Sequence, residues 1–205
     1  MSRTVGIAIF ASGRGSNARS LLQACADGYL NARGVLIISN HADAGVHDIA
    51  KEFGVPSRTI SRDQFEDGKA FADELITALK EAKAELICLA GYMRKVPPAL
   101  IRAYEGALLN IHPALLPKFG GKGMYGLNVH QAVIEAGESQ TGVTVHYVNE
   151  KYDEGVILLQ RGGVLVEKDD SPESLAARVL DLEHRLYPEA VHKWLDMFAG
   201  ARQVC

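Results

Sequence analysis

Asn110 and His112 stand two residues apart at the end of an apolar run, Ala107-Leu108-Leu109, that reads as a short buried strand. Residues i and i+2 of a strand project to one face, so an amide and an imidazole are presented together where the strand runs out. Pro113 keeps His112 extended and ends the ladder. Two donors so placed can stabilise an oxyanion, each by roughly 3–4 kcal/mol in a dry site, and the imidazole can also carry a proton. Asp153 lies in the turn Tyr152-Asp153-Glu154-Gly155, where Asp is common for turn geometry alone. Folded over the strand edge, its carboxylate would favour the imidazolium and raise the pKa of His112. No Gly-x-Ser-x-Gly elbow, HExxH pair or Walker loop accompanies these residues. Two donors and a carboxylate without a nucleophile point to direct group transfer through a tetrahedral intermediate.

A second chemical element is the glycine turn Ser12-Gly13-Arg14-Gly15-Ser16-Asn17, between the apolar run Val5–Phe10 and a helical pattern at Ala18, Leu21, Leu22 and Cys25. Such a turn aims backbone N–H groups and a helix N-terminus at one spot, which is an anion site. Gly13-x-Gly15-x-x-Ala18 loosely satisfies a dinucleotide fingerprint, but the next strand ends in Ser39-Asn40 rather than in the acid that holds a ribose diol. A single phosphate monoester suits Gly15, Ser16 and Asn17 better. His146, in an alternating strand, reads as a core or supporting histidine. Glu183, amid the apolar stripe of the last helix, reads on pattern alone as solvated.

The elements that must position these residues follow from periodicity. Strands are expected at 5–10, 35–39, 55–60 and 86–90, alternating with helices at 18–28, 46–53, around 71–79 and at 97–104. This rhythm implies right-handed crossovers and an α/β, doubly wound, mostly parallel, Rossmann-like sheet. After His112 the rhythm changes. Residues 118–126 carry four glycines in nine and form an unusual loop. Asn128 to Ala136 is helical. Strands 143–148 and 156–159 flank the Asp153 turn as an antiparallel C-terminal extension. Gly163 to Glu167 reads as a last strand. Ser171 caps and Pro172 opens a final helix with Leu175, Val179, Leu182 and Leu186 as its stripe. Pro188 is expected to break or kink it before a final turn bearing Val191, Trp194 and Leu195.

With 22 basic and 25 acidic residues, a net charge of −3 makes no electrostatic case for nucleic acid. No window approaches the roughly 18 apolar residues of a membrane span. The chain opens directly into a strand without a signal segment, so a cytoplasmic protein is expected. Cys25, Cys88 and Cys205 are odd in number and widely spaced; Cys25 and Cys88 read as reduced core thiols. No Cys/His spacing suits a metal.

Over nearly its whole length the chain resembles the folate-dependent phosphoribosylglycinamide formyltransferases. The resemblance rests on Ser12-Gly-Arg-Gly-Ser-Asn17, Leu89-Ala-Gly-Tyr-Met-Arg94, Asn110-Ile-His-Pro-Ala-Leu-Leu-Pro117, Thr144-Val-His146 and Asp153-Glu-Gly with Gln160, five motifs in order. It implies a single formyltransferase domain over 1–205, with a phosphate-binding half (about 1–105) and a folate and catalytic half (about 106–205). It implies that Gly15, Ser16, Asn17 and Glu183 bind glycinamide ribonucleotide, overturning the solvated reading of Glu183. It implies that Met93, Arg94, Val96 and His146 lie with the pteridine of 10-formyltetrahydrofolate, and that Asn110, His112 and Asp153 are catalytic. The substrate amine would attack the formyl carbon, Asn110 and protonated His112 would hold the oxyanion, and Asp153 would keep His112 charged. The implied partners are these two small molecules, with no nucleic acid, membrane or metal, in a monomer or homodimer. Leu116–Pro117 is a cis bond in the relatives. Two departures stand out: the longer glycine-rich stretch Phe119–Gly126, where many relatives carry a shorter Pro-Gly segment and His-Thr-His, and Val156, where the family carries proline.

Rival readings remain. Methionyl-tRNA formyltransferase shares Asn-x-His and Leu-Leu-Pro, but would bring a further C-terminal domain and a basic face. A formyltetrahydrofolate hydrolase would use the same trio with water and an added N-terminal regulatory domain. A non-catalytic nucleotide-phosphate sensor would leave the trio unexplained. A nicotinamide dehydrogenase lacks its ribose-binding acid.

Overall fold

The computed structural model describes residues 3–203; Cys205 lies outside them. Seven strands form one sheet in the order β3-β2-β1-β4-β5-β6-β7. Strands β1 (Val5–Phe10), β2 (Ala32–Ser39), β3 (Ser57–Thr59), β4 (Leu86–Leu89) and β5 (Leu108–His112) are parallel. Strands β6 (Gln140–Tyr147) and β7 (Ile157–Leu165) continue the sheet antiparallel. The expected doubly wound sheet with an antiparallel extension is the fold observed.

Side-chain alternation divides the core between the two faces. Ile7, Ile9, Leu86, Cys88, Leu109 and Ile111 pack with helices α1 (Ser16–Ala26) and α6 (Pro172–Gln203). Ala8, Phe10, Ile87, Leu89 and Leu108 pack with α3 (Gly68–Glu81) and α4 (Pro98–Ala103). Both faces of the central strands β1 and β4 are buried, which is why they read as continuous apolar runs. Helices α2 (Val46–Glu52) and α5 (Leu127–Glu135) complete the layers.

Three expectations need correcting. Strand β3 is only three residues, Ser57–Thr59, at an exposed sheet edge. No separate strand starts at Gly163, because β7 runs through it to Leu165, pairing with Thr141 and Gln140 of β6. Pro188 does not end the last helix: α6 is continuous across it. Proline removes one helical hydrogen bond, but Leu186, Tyr187, Ala190, Val191 and Trp194 on both sides of it are buried in the core, and burying such side chains at about 1.5–3 kcal/mol each outweighs that loss. The Ser171 cap forms as expected, with Ser171 Oγ accepting from Ser174 N at 3.2 Å. Among the described residues Cys25 and Cys88 are unpaired thiols, and Leu116–Pro117 is cis.

Tyr187 ties α6 to the sheet directly behind the Asn110 strand. It is fully buried, and its hydroxyl donates toward the carbonyls of Leu89 (3.0 Å) and Leu109 (3.2 Å). Tyr187→Phe strips both carbonyls of this donor and is expected to lower unfolding free energy by about 1–2 kcal/mol. Urea denaturation reads it; an unchanged midpoint would remove this tether from the account.

Candidate functional site

The parallel strands order as 3-2-1-4-5, so connections leave in opposite directions at β1 and β4, and open α/β sheets bind ligands outside the carboxyl ends at such a point. The glycine turn after β1 and the segment after β4 meet there. Residues 12–17, His41, Ala90, Gly91 and Met93 line a recess of about 310 Å³. Gly15 caps α1 with φ +80°, and a Cβ there would come within 2.7 Å of Val46, so only glycine makes this turn. No side chain caps the first turn of α1, so its N–H groups keep their anion-binding capacity. Ser12 is used structurally: its hydroxyl donates to Asn40 (2.5 Å) and accepts from Met93 N (2.8 Å), joining the two loops.

The recess opens beside a larger cleft of about 1050 Å³, lined by residues that include Asn17, Met93, Arg94, Val96, Asn110, His112, His146, Asp153 and Glu183. Pairing of β5 with β6 sets Asn110 opposite His146. Asn110 Nδ2 lies 3.1 Å from His146 Nε2, and His146 Nδ1 donates to the carbonyl of Tyr147 at 2.9 Å. His112, two residues on, is opposite Thr144. Thr144 donates to Ala114 O (2.6 Å) and accepts from Leu116 N (3.1 Å), while Gln160 donates to both Thr144 Oγ1 and Leu116 O. These bonds secure the chain after Pro113.

Asp153 reaches this place from the β6–β7 turn. Gly155 lets the turn lie against β6: a Cβ there would sit 1.6 Å from the carbonyl oxygen of Tyr147. Asp153 adopts φ +56°, tolerated by Asp better than by most residues. Its carboxylate is 3.8 Å from His112 Nδ1 and 3.6 Å from His146 Nε2, and accepts from Gly121 N at 2.9 Å. Burial alone would raise this carboxyl, but contact with His146, the His112 charge and the Gly121 N–H together hold it below its ordinary value.

The effect on His112 differs from expectation. Its pKa is lowered, because burial of a ring only 3% exposed outweighs the attraction of Asp153 and the bond from Nε2–H to Phe119 O at 2.8 Å. A carboxylate at 3.8 Å, already turned to a second histidine, offsets part of the desolvation and no more.

Glu183 is buried, not solvated, and accepts from Asn17 Nδ2 across α1 and α6. Burial pushes its carboxyl up to about 7, against the lowering effect of Asn17. Two groups escaped sequence reasoning. The glycine loop supplies Phe119 O and Gly121 N to the site; its glycine density signalled unusual backbone but not these bonds. His130 of α5 lines the cleft while 4% exposed; nothing in its spacing separates it from a core position.

The donor set, in a cleft that joins an anion-type recess, fits acyl-type transfer. Comparison with known proteins bears on this. The family profile described as formyl transferase matches residues 5–191. The chain is similar to a chloroplastic phosphoribosylglycinamide formyltransferase of Arabidopsis thaliana (44% identity over 90% of this chain and 63% of the relative). It is similar to a phosphoribosylglycinamide formyltransferase of Haemophilus influenzae (38% identity, 92% of this chain, 85% of the relative). It superposes on the crystal structure of glycinamide ribonucleotide transformylase 1 from Symbiobacterium toebii with TM-score 0.88 (36% identity, 94% of this chain, 88% of that chain). The chain thus spans less than two thirds of the Arabidopsis relative and of a similar Vigna unguiculata protein, 63% and 59% of their lengths.

Glu183 gives this site a pH signature. Its folded pKa of about 7 lies above its ordinary 4.5, so its contribution is full below the unfolded value and is lost as pH rises through the folded one. Wild-type stability relative to Glu183→Gln is expected to fall between about pH 5 and pH 8. Denaturant midpoints at both pH values test this; a difference that stays constant would place the carboxylate in water.

Proposed function

The chain belongs to the formyl transferase family, and on that premise we propose that it transfers the formyl group of 10-formyltetrahydrofolate to the amine of glycinamide ribonucleotide, giving formylglycinamide ribonucleotide and tetrahydrofolate in purine biosynthesis. One observation carries the reading: Asn110, His112 and Asp153 converge at the floor of a cleft that joins the phosphate-type recess.

In this proposal Gly15, Ser16 and Asn17 hold the ribonucleotide phosphate, and Glu183 contacts the same substrate. Met93, Arg94, Val96 and His146 lie along the folate. The cleft volume of about 1050 Å³ accommodates a ligand of folate size. Its wall combines buried apolar Val96 with polar Arg94 and Asn149, as an apolar ring with a polar edge requires. The amine lone pair forms the new C–N bond, and the carbonyl π pair moves onto oxygen. Asn110 donates to that oxyanion. His112, whose Nε2–H is bonded to Phe119 O, takes the proton released by the amine at Nδ1, the nitrogen that faces Asp153, and its charge is then offset by both Asp153 and the oxyanion. Collapse re-forms the carbonyl, breaks the bond to the folate nitrogen and returns the proton there. No metal is invoked. The proposal extends to a single formyltransferase domain working in the cytoplasm as a monomer or homodimer. In its support Cys25 and Cys88 are free thiols, and no helix among the described residues is long and apolar enough to cross a membrane.

The test is folate deformylation followed by absorbance, with each substrate omitted in turn. Deformylation that requires the ribonucleotide is expected. Deformylation in its absence would indicate a hydrolase, and ribonucleotide binding without any deformylation a sensor. His112→Ala is expected to lower kcat by about a hundred- to thousandfold with ribonucleotide affinity nearly unchanged, since the phosphate recess is separate.

A further inference from the structure

His130 has no part in the mechanism above, yet it stands on the wall of the same cleft. It is 4% exposed, and among the described residues its Nδ1 is sealed from solvent with no hydrogen-bond partner. An unpaired buried N–H is rarer than an unpaired acceptor, so the proton belongs on Nε2, the ring edge left to face the cleft. A second proton would put an N–H at the sealed Nδ1 with nothing to receive it. Burial, with repulsion from nearby His112, accordingly pushes the ring down to about 4. His130 is therefore a fixed neutral donor, unlike His112, whose ring nitrogens face Asp153 and Phe119.

Its position selects the acceptor. Helix α5 packs on α6, and Leu180 and Glu183 of α6 line the same cleft as His130. Asn17, bonded to Glu183, lines both this cleft and the phosphate recess. A donor in this cleft, close enough to His112 to feel its charge, is placed to meet the arm by which a substrate anchored in the recess would bring its amine to His112. The amine nitrogen carries N–H groups and needs its lone pair free; the acceptor next to it is the carbonyl oxygen one carbon away.

Resting on the function proposed above, we propose that His130 is a substrate-positioning residue whose Nε2–H donates to the carbonyl oxygen of the glycinamide arm, orienting the amine toward the formyl carbon.

The experiment compares wild type, His130→Leu and His130→Gln by calorimetric titration with glycinamide ribonucleotide, by KM for each substrate, and by thermal denaturation. Leu fills the space without a donor; the Gln amide reaches the Nε2 position. His130→Leu is expected to weaken ribonucleotide binding and raise its KM by about three- to tenfold. The folate KM should stay unchanged and Tm should not fall, because among the described residues the ring makes no hydrogen bond to protein. His130→Gln should recover most of the affinity. Unchanged ribonucleotide affinity in His130→Leu, or Gln behaving like Leu, would overturn the inference, as would a loss confined to kcat. If either variant unfolds, the other decides by the same titration. Wild-type protein that binds no ribonucleotide would overturn the underlying function as well, whereas turnover by wild type with unaffected variants would overturn this inference alone.

Discussion

The site depends on one half-buried carboxylate. Asp153 faces His112 and His146 at 3.8 and 3.6 Å and accepts the Gly121 amide at 2.9 Å. Each contact comes from a different piece of chain: the end of β5, the body of β6 and the glycine loop. A carboxylate taken from water needs such partners, because unpaired burial is expensive. The β6–β7 turn, the loop and the strand end must therefore assemble together. The left-handed backbone of Asp153 and the close approach at Gly155 are the local strain and shape that this assembly requires.

The same economy governs the rest of the cleft. Polar groups were placed inside it with few protein partners: Asn17 Oδ1, Tyr92 OH and His130 Nδ1 are buried and unpaired among the described residues, and Glu183 is held toward its neutral form. Stability alone would favour apolar residues at such positions. Buried polar side chains kept at such a cost mark this cleft as a site rather than as part of the core. The apolar sheet, with Tyr187 bonded behind β4 and β5, provides the rigid base.

Much of this was legible in the sequence because the signals are local. Period-2 and period-3.6 patterns gave the order of strands and helices, and Asn110-x-His112 followed by proline gave two donors at a strand end. The Gly15 turn was readable because its left-handed φ has few alternatives. What the sequence hid was long-range. Pro188 looked like a helix breaker because the neighbours that hold both halves of α6 are distant in sequence. Glu183 looked solvated because periodicity does not reveal that α1 crosses α6 at Asn17. The pKa direction at His112 is not legible in sequence, because proximity to Asp153 pulls one way and the burial that accompanies it pulls further the other way. His130 gave no signal, since its place on α5 is that of a core residue beside Val129 and Val133.

The most direct test of the central constraint is an NMR titration of the His112 ring in free wild-type protein and in Asp153→Asn. The balance described here, burial opposed in part by Asp153, predicts a wild-type value below about 6.5 and a still lower one in the variant. An imidazole that titrates at or above its ordinary value, or that does not respond to loss of the carboxylate, would contradict the account of this site.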